Sequence, residues 1–201
     1  MAPATERRLI AAAFLVYCAL VVCMIAMHGM WLDELQPWCV ARDSSSLMDL
    51  YHNTRFEGHP PLWYVLLFVI TRFSDNPVLM QVLHVVIGTC TAALVLWRAP
   101  FVWWWRVLIV FGYFFLYEYT VIARNYGLAL LFLLLAADAR QRIGLGWQWS
   151  LLLALAAFTH IWGIVFAGAW VVAEFSIERS TKMWSMAMTV ASCCLYSFWW
   201  S

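Results

Sequence analysis

Long apolar runs separated by short polar stretches constrain this chain more than any other feature. The first run, residues 9–30, is long enough to cross the roughly 30 Å of hydrocarbon in a lipid bilayer. Only 11% of the residues are charged, against roughly 25% in a typical soluble domain, and 65% are hydrophobic. We therefore predict an integral membrane protein of the all-α class, with further membrane helices in the runs 78–97, 101–122, 126–137, 143–175 and 183–200.

Other features narrow the class of protein. No internal repeat or Gly/Ser/Pro-rich linker divides the sequence, so residues 1–201 are predicted to form a single transmembrane helical domain. A net charge of +1 with scattered basic residues offers no surface for nucleic acid. Five of the six cysteines lie in apolar runs, so no disulfide is predicted. His28, Met30 and Trp31 do not form a signal-peptide cleavage site, so the first helix is predicted to be retained.

The basic residues predict sidedness. The apolar part of residues 61–73 is too short to span a bilayer, and we interpret it as an interfacial or re-entrant helix on the outer face. Residues 31–64 then form a polar outer loop, and the N-terminus is cytoplasmic. With residues 61–73 on the outer face, three pairs of arginines lie on the inner side: Arg7 with Arg8, Arg98 with Arg106, and Arg140 with Arg142. The same bias of basic residues places Arg179 and Lys182 inside, which requires residues 143–175 to form a tight pair of spans reversing near His160, Trp162 and Gly163.

Asp33 and Glu34 stand at the mouth of the first apolar run. Adjacent side chains diverge at the end of a helix, so the two carboxylates are not expected to act as one acid/base pair. One of them, Asp33, could take the proton from an acceptor hydroxyl or amine as a general base. The alternative is a solvated helix terminus.

Glu57 and His59 lie in a compact turn, EGHPPLWY, that leads into the short helix. Pro61 suits a first helical position, and Pro60 keeps His59 out of the helical region. The turn therefore fixes the directions of Glu57 and His59 as candidate substrate-binding residues. His52, Glu57, His59 and Asp33 could hold a divalent metal ion, but their spacing matches no metal signature, so no metal ligand is assigned.

A second group of polar residues lies where later apolar runs meet. Arg124 has the planar fork that suits phosphate or carboxylate, and Tyr126 follows it. The alternative is a Glu118–Arg124 ion pair that braces two helices. His160 interrupts another apolar run, where it is either a ligand-binding residue or a satisfied core histidine.

Four motifs occur in order: WLDE, GHPPLWY, ARNYGLALL and FTHIWG. Together they resemble the N-terminal half of the GT-C glycosyltransferases, in particular the bacterial relatives of protein O-mannosyltransferases and aminoarabinose transferases. The resemblance implies a catalytic base at Asp33, with Glu34 beside it, and maps the HPPL element onto residues 59–62 and an outer arginine and tyrosine onto Arg124 and Tyr126. Because members of that family are much longer, it also implies that this chain is the N-terminal part of a longer protein.

The predicted function is transfer of a sugar from a polyprenyl-phosphate carrier to a lipid, glycan or protein acceptor, with inversion, at the outer face of a bacterial inner membrane. No cofactor beyond the divalent metal alternative is expected. Two other functions stay open. The chain could be a non-catalytic membrane subunit, or a small transporter that uses Arg124, Glu118 and His160 inside the membrane.

Overall fold

The computed structural model describes residues 4–177. This part of the chain contains no strand, so the all-α prediction is confirmed. The last predicted apolar helix, residues 183–200, lies outside the described residues. The helices are α1 (Ala4–Met27), α2 (Leu32–Asp43), α3 (Leu47–Thr54), α4 (Leu62–Thr71), α5 (Val78–Arg98), α6 (Trp103–Val110), a π-helical turn (Phe114–Glu118), α7 (Asn125–Arg142), α8 (Trp147–Ala157) and α9 (Ile161–Ile177).

Among the described helices, α1 and α5 are long and apolar enough to cross a membrane. They pack against each other in opposite directions. Ile10, near the start of α1, belongs to the same apolar cluster as Leu96 near the end of α5, and the rings of Phe14 and Trp97 are 5.0 Å apart. The chain therefore enters α5 at the end where it left α1.

Helices α2, α3 and α4 occupy the segment between α1 and α5. The side chains of Trp38 and Trp63 are enclosed in one apolar cluster that joins α2 to α4. Helix α4 has 10 residues and is thus about 15 Å long. It does not carry the chain to the opposite end of α1, in agreement with the geometry predicted for residues 61–73.

The structure corrects the single helix predicted for residues 101–122. Helix α6 ends at Val110, and a π-helical turn follows Gly112, closed by the bond from Tyr119 N to Phe114 O at 2.7 Å. The wider turn exposes the carbonyl of Phe115, which accepts hydrogen bonds from the Tyr17 hydroxyl at 2.9 Å and from Thr120 Oγ1 at 2.7 Å. These side-chain bonds replace the bonds that a continuous helix would make.

Helices α8 and α9 form the predicted reversal near His160. The rings of Trp149 and Trp170 are 6.0 Å apart at one end of this hairpin. At the other end, a Cβ on Gly163 would lie 2.0 Å from the carbonyl oxygen of Ala156, so only glycine permits the close approach of the two helices.

Charge is divided between the two ends of the packed helices. The start of α1, the end of α5, the start of α6 and the end of α7 lie at the same end of the molecule. Two contacts show this: Arg106 Nη1 donates to Leu96 O at 3.2 Å, and Arg98 lines the same cavity as Asp138. Within residues 4–177, this basic end carries six arginines (Arg7, Arg8, Arg98, Arg106, Arg140 and Arg142) and three carboxylates (Glu6, Asp138 and Glu174). The opposite end, which we call the Asp33 end, carries four arginines and seven carboxylates.

Candidate functional site at the Asp33 end

The two adjacent carboxylates at the start of α2 have different environments. The side chain of Asp33 is 63% exposed, whereas that of Glu34 is fully buried. Glu34 accepts hydrogen bonds from Ala123 N at 2.7 Å, from Trp31 N at 3.0 Å and from His28 Nε2 at 2.8 Å. Three protein donors occupy the oxygens of Glu34, so Asp33 is the one of the two carboxylates that is open to a ligand.

Arg124 forms an ion pair with Asp33 instead of the alternative pair with Glu118. Its Nη1 lies 2.8 Å from Asp33 Oδ2. Glu118 accepts hydrogen bonds from the hydroxyls of Tyr113 and Tyr126, at 3.0 and 3.1 Å. The two tyrosine hydroxyls are therefore the hydrogen-bond partners of Glu118, and Arg124 pairs with the exposed carboxylate of Asp33.

Glu34 explains how Arg124 reaches Asp33 across 91 positions of sequence. Its bond to Ala123 N fixes the residue immediately before Arg124 against the start of α2. His28 supports the carboxylate from the end of α1, and the Tyr117 hydroxyl lies 3.4 Å from His28 Nδ1. In the tautomer in which Nε2–H donates to Glu34, Nδ1 is the acceptor for the Tyr117 hydroxyl. Three distant segments are thereby joined beneath the ion pair.

His59 and His160 come together beside Arg124. Their rings are stacked, with centroids 5.5 Å apart and planes at 26°. Tyr126 meets His160 edge to face at 6.0 Å, and the guanidinium carbon of Arg124 lies 5.8 Å from the centroid of the Tyr126 ring. Four of the five predicted substrate-binding residues are thus neighbours in the structure.

Backbone contacts position this cluster. Leu62 N donates to Phe158 O at 3.0 Å, and Asn125 Nδ2 donates to Thr159 O at 3.1 Å. Gly58 adopts a φ of 69°, which allows the sharp turn before His59. The turns that carry the two histidines are therefore held directly against each other.

Glu57, the fifth predicted binding residue, has another role. Its Oε2 accepts a hydrogen bond from Gln36 Nε2 at 2.6 Å, which links α2 to the turn before α4. The structure therefore gives Glu57 a bracing contact rather than a place in the histidine cluster.

The surroundings of the two histidines keep them neutral. Burial and the nearby Arg124 lower the pKa of His59. Burial, followed by the effects of His59 and Arg124, lowers the pKa of His160 to about 4. Near neutral pH His160 Nδ1 accepts a hydrogen bond from Trp162 N at 3.1 Å, so its Nε2 carries the proton and can donate to a polar ligand.

We expect His160 to make stability pH-dependent. An unfolded histidine protonates near pH 6.5 and the folded one only near pH 4, so the unfolded state binds more protons in this window and stability falls as the pH drops through it. Residual solvent screening reduces the effect, and we expect the unfolding temperature to fall by a few degrees between pH 7 and pH 4.5. His160→Asn should flatten this slope, whereas His52→Gln, at an exposed position, should leave it unchanged. If the pH dependence of the unfolding temperature is unaltered in His160→Asn, His160 is not the group that lowers stability at acidic pH.

A groove of about 350 Å³ adjoins the cluster between α7 and α9. Tyr119, Tyr126 and His160 line one part of it, and the remaining lining residues are mainly apolar or aromatic: Ala129, Leu130, Leu133, Trp162, Gly163 and Phe166. Sequence reasoning missed Tyr119, Trp162 and the supporting His28. The only sequence signal for His28 was a polar residue at the end of an apolar run. The groove offers an amphiphilic ligand a polar rim and an apolar wall.

The proposed metal alternative finds no support from side-chain positions. Within residues 4–177, no three His, Cys, Asp or Glu side chains come together in a way that could hold a metal ion. His52, Glu57, His59 and Asp33 are not assembled into one site. The ionisable groups that the described site does bring together are Asp33, Arg124 and the histidine pair.

Comparison with known proteins gives no indication of function. No family model, no curated protein and no solved structure matches the chain. Function depends on the arrangement of specific groups rather than on an all-helical fold. The relevant arrangement is an exposed carboxylate and a guanidinium in contact, next to a groove with a polar rim and an apolar wall.

Proposed function

We propose that this chain takes part in the transfer of a sugar from a polyprenyl-phosphate carrier to an acceptor hydroxyl or amine. The observation that carries the proposal is the Asp33–Arg124 ion pair beside the groove between α7 and α9. A lipid-phosphate sugar has three parts: an apolar chain, an anionic phosphate and a polar ring. The groove wall, Arg124 and the histidine pair offer a complementary surface for each part.

The donor phosphate would compete with Asp33 for Arg124. A guanidinium binds phosphate with two parallel hydrogen bonds, and Arg124 is only partly exposed, so the charge–charge attraction is less screened than in bulk water. Transfer of Arg124 from the carboxylate to the phosphate would free Asp33 Oδ2. The same step would place a cation where charge develops on the leaving group.

Asp33 is the group that would take the acceptor proton. In a single displacement, the acceptor oxygen or nitrogen forms a bond to the anomeric carbon while the bond from that carbon to the phosphate oxygen breaks. The acceptor proton passes to Asp33 and the electron pair of the broken bond stays on the lipid phosphate. Attack opposite the leaving group inverts the anomeric carbon.

We place the Asp33 end outside a bacterial inner membrane and the basic end in the cytoplasm. The excess of arginines at the basic end follows the bias of cytoplasmic loops, and α1 and α5 are long enough to cross. The remaining helices would complete a polytopic bundle, with α4 at the outer interface. This arrangement agrees with the resemblance of the four sequence motifs to the GT-C glycosyltransferases.

A transport path is less well supported. Charged groups along such a path would be expected at several depths in the membrane. Glu118, Arg124 and His160 instead lie together at the Asp33 end, near the ends of their helices. We therefore favour a reaction at the surface of the bundle over passage through it.

Binding of the donor tests the role of Arg124. Removing a charge-assisted hydrogen bond costs about 1.5–3 kcal/mol, so Arg124→Met should weaken binding of a polyprenyl-phosphate sugar about 10- to 100-fold. Arg124→Lys should retain part of the affinity, because a point charge still attracts phosphate. Thermal stability should change little, since Asp33 is well exposed and an ion pair at the protein surface contributes about 0–1 kcal/mol. Binding can be measured by titration of the purified protein in detergent.

Arg42→Met is a matched control for this test. Arg42 forms an equally short, exposed ion pair with Asp43, 2.7 Å long, near the far end of α2. Its loss should leave donor affinity unchanged. Equal weakening in both variants would mean that Arg124 contributes only general positive charge, and unchanged affinity in Arg124→Met would rule it out as the phosphate ligand.

Labelling of Cys39 tests the proposed sidedness. Cys39 is partly exposed on α2 at the Asp33 end. A membrane-impermeant thiol reagent added to intact cells should label the native protein, and Cys39→Ser should abolish that signal. In the double variant Cys39→Ser with Gln141→Cys, the new thiol near the basic end should react only after the membrane is opened. The reverse pattern would invert the topology and remove Asp33 from the outer face.

A further inference from the structure

A second cavity lies at the basic end, far from Asp33. It has a volume of about 310 Å³ and lies between α5, α6 and α7. Its lining is mostly apolar, and includes Leu94, Ile109, Phe115 and Leu134. The polar lining residues Arg98, Asp138 and Gln141 all lie close to the ends of α5 and α7, so the cavity has a polar rim and an apolar interior.

The rim carries an arginine that has no partner among residues 4–177. Asp138 is already engaged, because its Oδ1 accepts from Arg142 Nε at 2.8 Å. Arg98 is exposed and makes no hydrogen bond or ion pair with any other residue between 4 and 177. Its guanidinium is therefore free to bind an anion at the mouth of the cavity.

The apolar part of the cavity is long enough to hold a segment of an acyl chain and is longer than a small anion. Leu134 and Gln141 both line it and are seven residues apart on α7, which corresponds to about 10 Å. Arg106 stabilises this shape, since its guanidinium donates to Phe101 O at 2.6 Å and to Leu96 O at 3.2 Å. These bonds fix the turn between α5 and α6 that forms one wall.

Exposed aromatic residues surround the same end. Trp97, Trp103, Trp104 and Trp105 are all exposed, next to the exposed Arg98. Tryptophan gathers at membrane–water interfaces, and arginine at such a position attracts the anionic lipids of the cytoplasmic leaflet. The surface around the cavity thus fits a lipid headgroup region and not a soluble partner.

We propose that this cavity binds one anionic phospholipid of the cytoplasmic leaflet, with its phosphate on Arg98 and part of an acyl chain between α5, α6 and α7. The inference rests on the membrane orientation proposed above but not on sugar transfer. Such a lipid would join the ends of α5 and α7. Because a ligand that binds only the folded state stabilises it, occupancy should raise the unfolding temperature.

The test compares two lipids with the same acyl chains on the purified full chain in detergent. Phosphatidylglycerol should bind at least about fivefold more tightly than phosphatidylcholine and raise the unfolding temperature more, in line with one arginine at the surface. Arg98→Gln should remove this preference, while Arg55→Gln, an exposed arginine at the Asp33 end, should retain it. Bound lipid can be counted by native mass spectrometry.

A second variant tests the acyl-chain part of the site. Ala137 lines the cavity, so Ala137→Phe should fill it and abolish binding of phosphatidylglycerol without changing any charge. Ala173→Phe, an exposed position on α9, is the control for added bulk. Since Arg98 is exposed, Arg98→Gln is expected to fold and remains decisive if Ala137→Phe does not.

Several results would overturn the proposal. These are equal affinity for the two lipids, an unchanged preference in Arg98→Gln, and normal binding by a folded Ala137→Phe. Stabilisation by glycerol phosphate alone would also overturn it, because a free anion has no acyl chain. If the native protein shows the lipid preference but no sugar transfer, the function proposed for the Asp33 end is refuted and the lipid site stands.

Discussion

Replacing Glu34 by alanine is expected to lower the free energy of unfolding by about 3–5 kcal/mol, because several donors in the interior would lose their acceptor. Three donors would lose their acceptor at once: Ala123 N, Trp31 N and His28 Nε2, all within 3.0 Å of the carboxylate. Each unsatisfied buried donor costs about 1–3 kcal/mol, and water entering the space recovers part of the total. Thermal or chemical unfolding in detergent measures the loss.

Glu34→Gln gives an intermediate case. The amide keeps one oxygen acceptor but turns an NH₂ group towards a donor, so we expect a loss of about 1–3 kcal/mol. Asp33→Ala is the matched control, because the neighbouring carboxylate is exposed and its ion pair should contribute no more than about 1 kcal/mol. If Glu34→Ala is as stable as the native protein, the buried network does not hold α2 to the segment before α7.

Hydropathy and charge predicted much of the fold. The apolar run from residue 9, the short helix after residue 61 and the reversal at His160 all occur in the structure, because each follows from local composition and length. The break after Val110 could not be predicted in this way. It depends on Tyr17 reaching the Phe115 carbonyl, a contact between residues 98 positions apart.

The sequence indicated which residues belong to the candidate site, but not which of them contact each other. Arg124, Tyr126, His59 and His160 do cluster, as their rarity among apolar residues indicated. No pattern in the sequence distinguishes Asp33 from Glu34, since the burial of Glu34 depends on a backbone N–H 89 positions away. The partner of Arg124 was missed for the same reason, because Glu118 is nearer in sequence but is satisfied by two tyrosines.

The Asp33–Arg124 pair combines exposure with a fixed position, and this combination separates it from the other ion pairs at the same end. Arg42 and Asp43 are adjacent in sequence, so their contact needs no tertiary structure. Asp33 and Arg124 are distant in sequence, and the buried Glu34 brings them together by holding Ala123 in place. A carboxylate placed in this way can approach an acceptor repeatedly in the same geometry, which a general base requires.

Asp33→Asn should lower the rate of sugar transfer about 100-fold or more, because a positioned general base contributes about 10²- to 10⁴-fold and the amide cannot take a proton. The shape is kept, so the unfolding temperature and donor affinity should stay close to those of the native protein. Asp43→Asn is the matched control: it removes an equally exposed, arginine-paired carboxylate from the same helix and should retain full activity. Rates at saturating donor, with unfolding measured on the same samples, separate the outcomes. Full activity in Asp33→Asn would eliminate this residue as the base. An equal loss in Asp43→Asn would show that the reaction needs only negative charge at this end, since Asp43 pairs with Arg42 and not with Arg124.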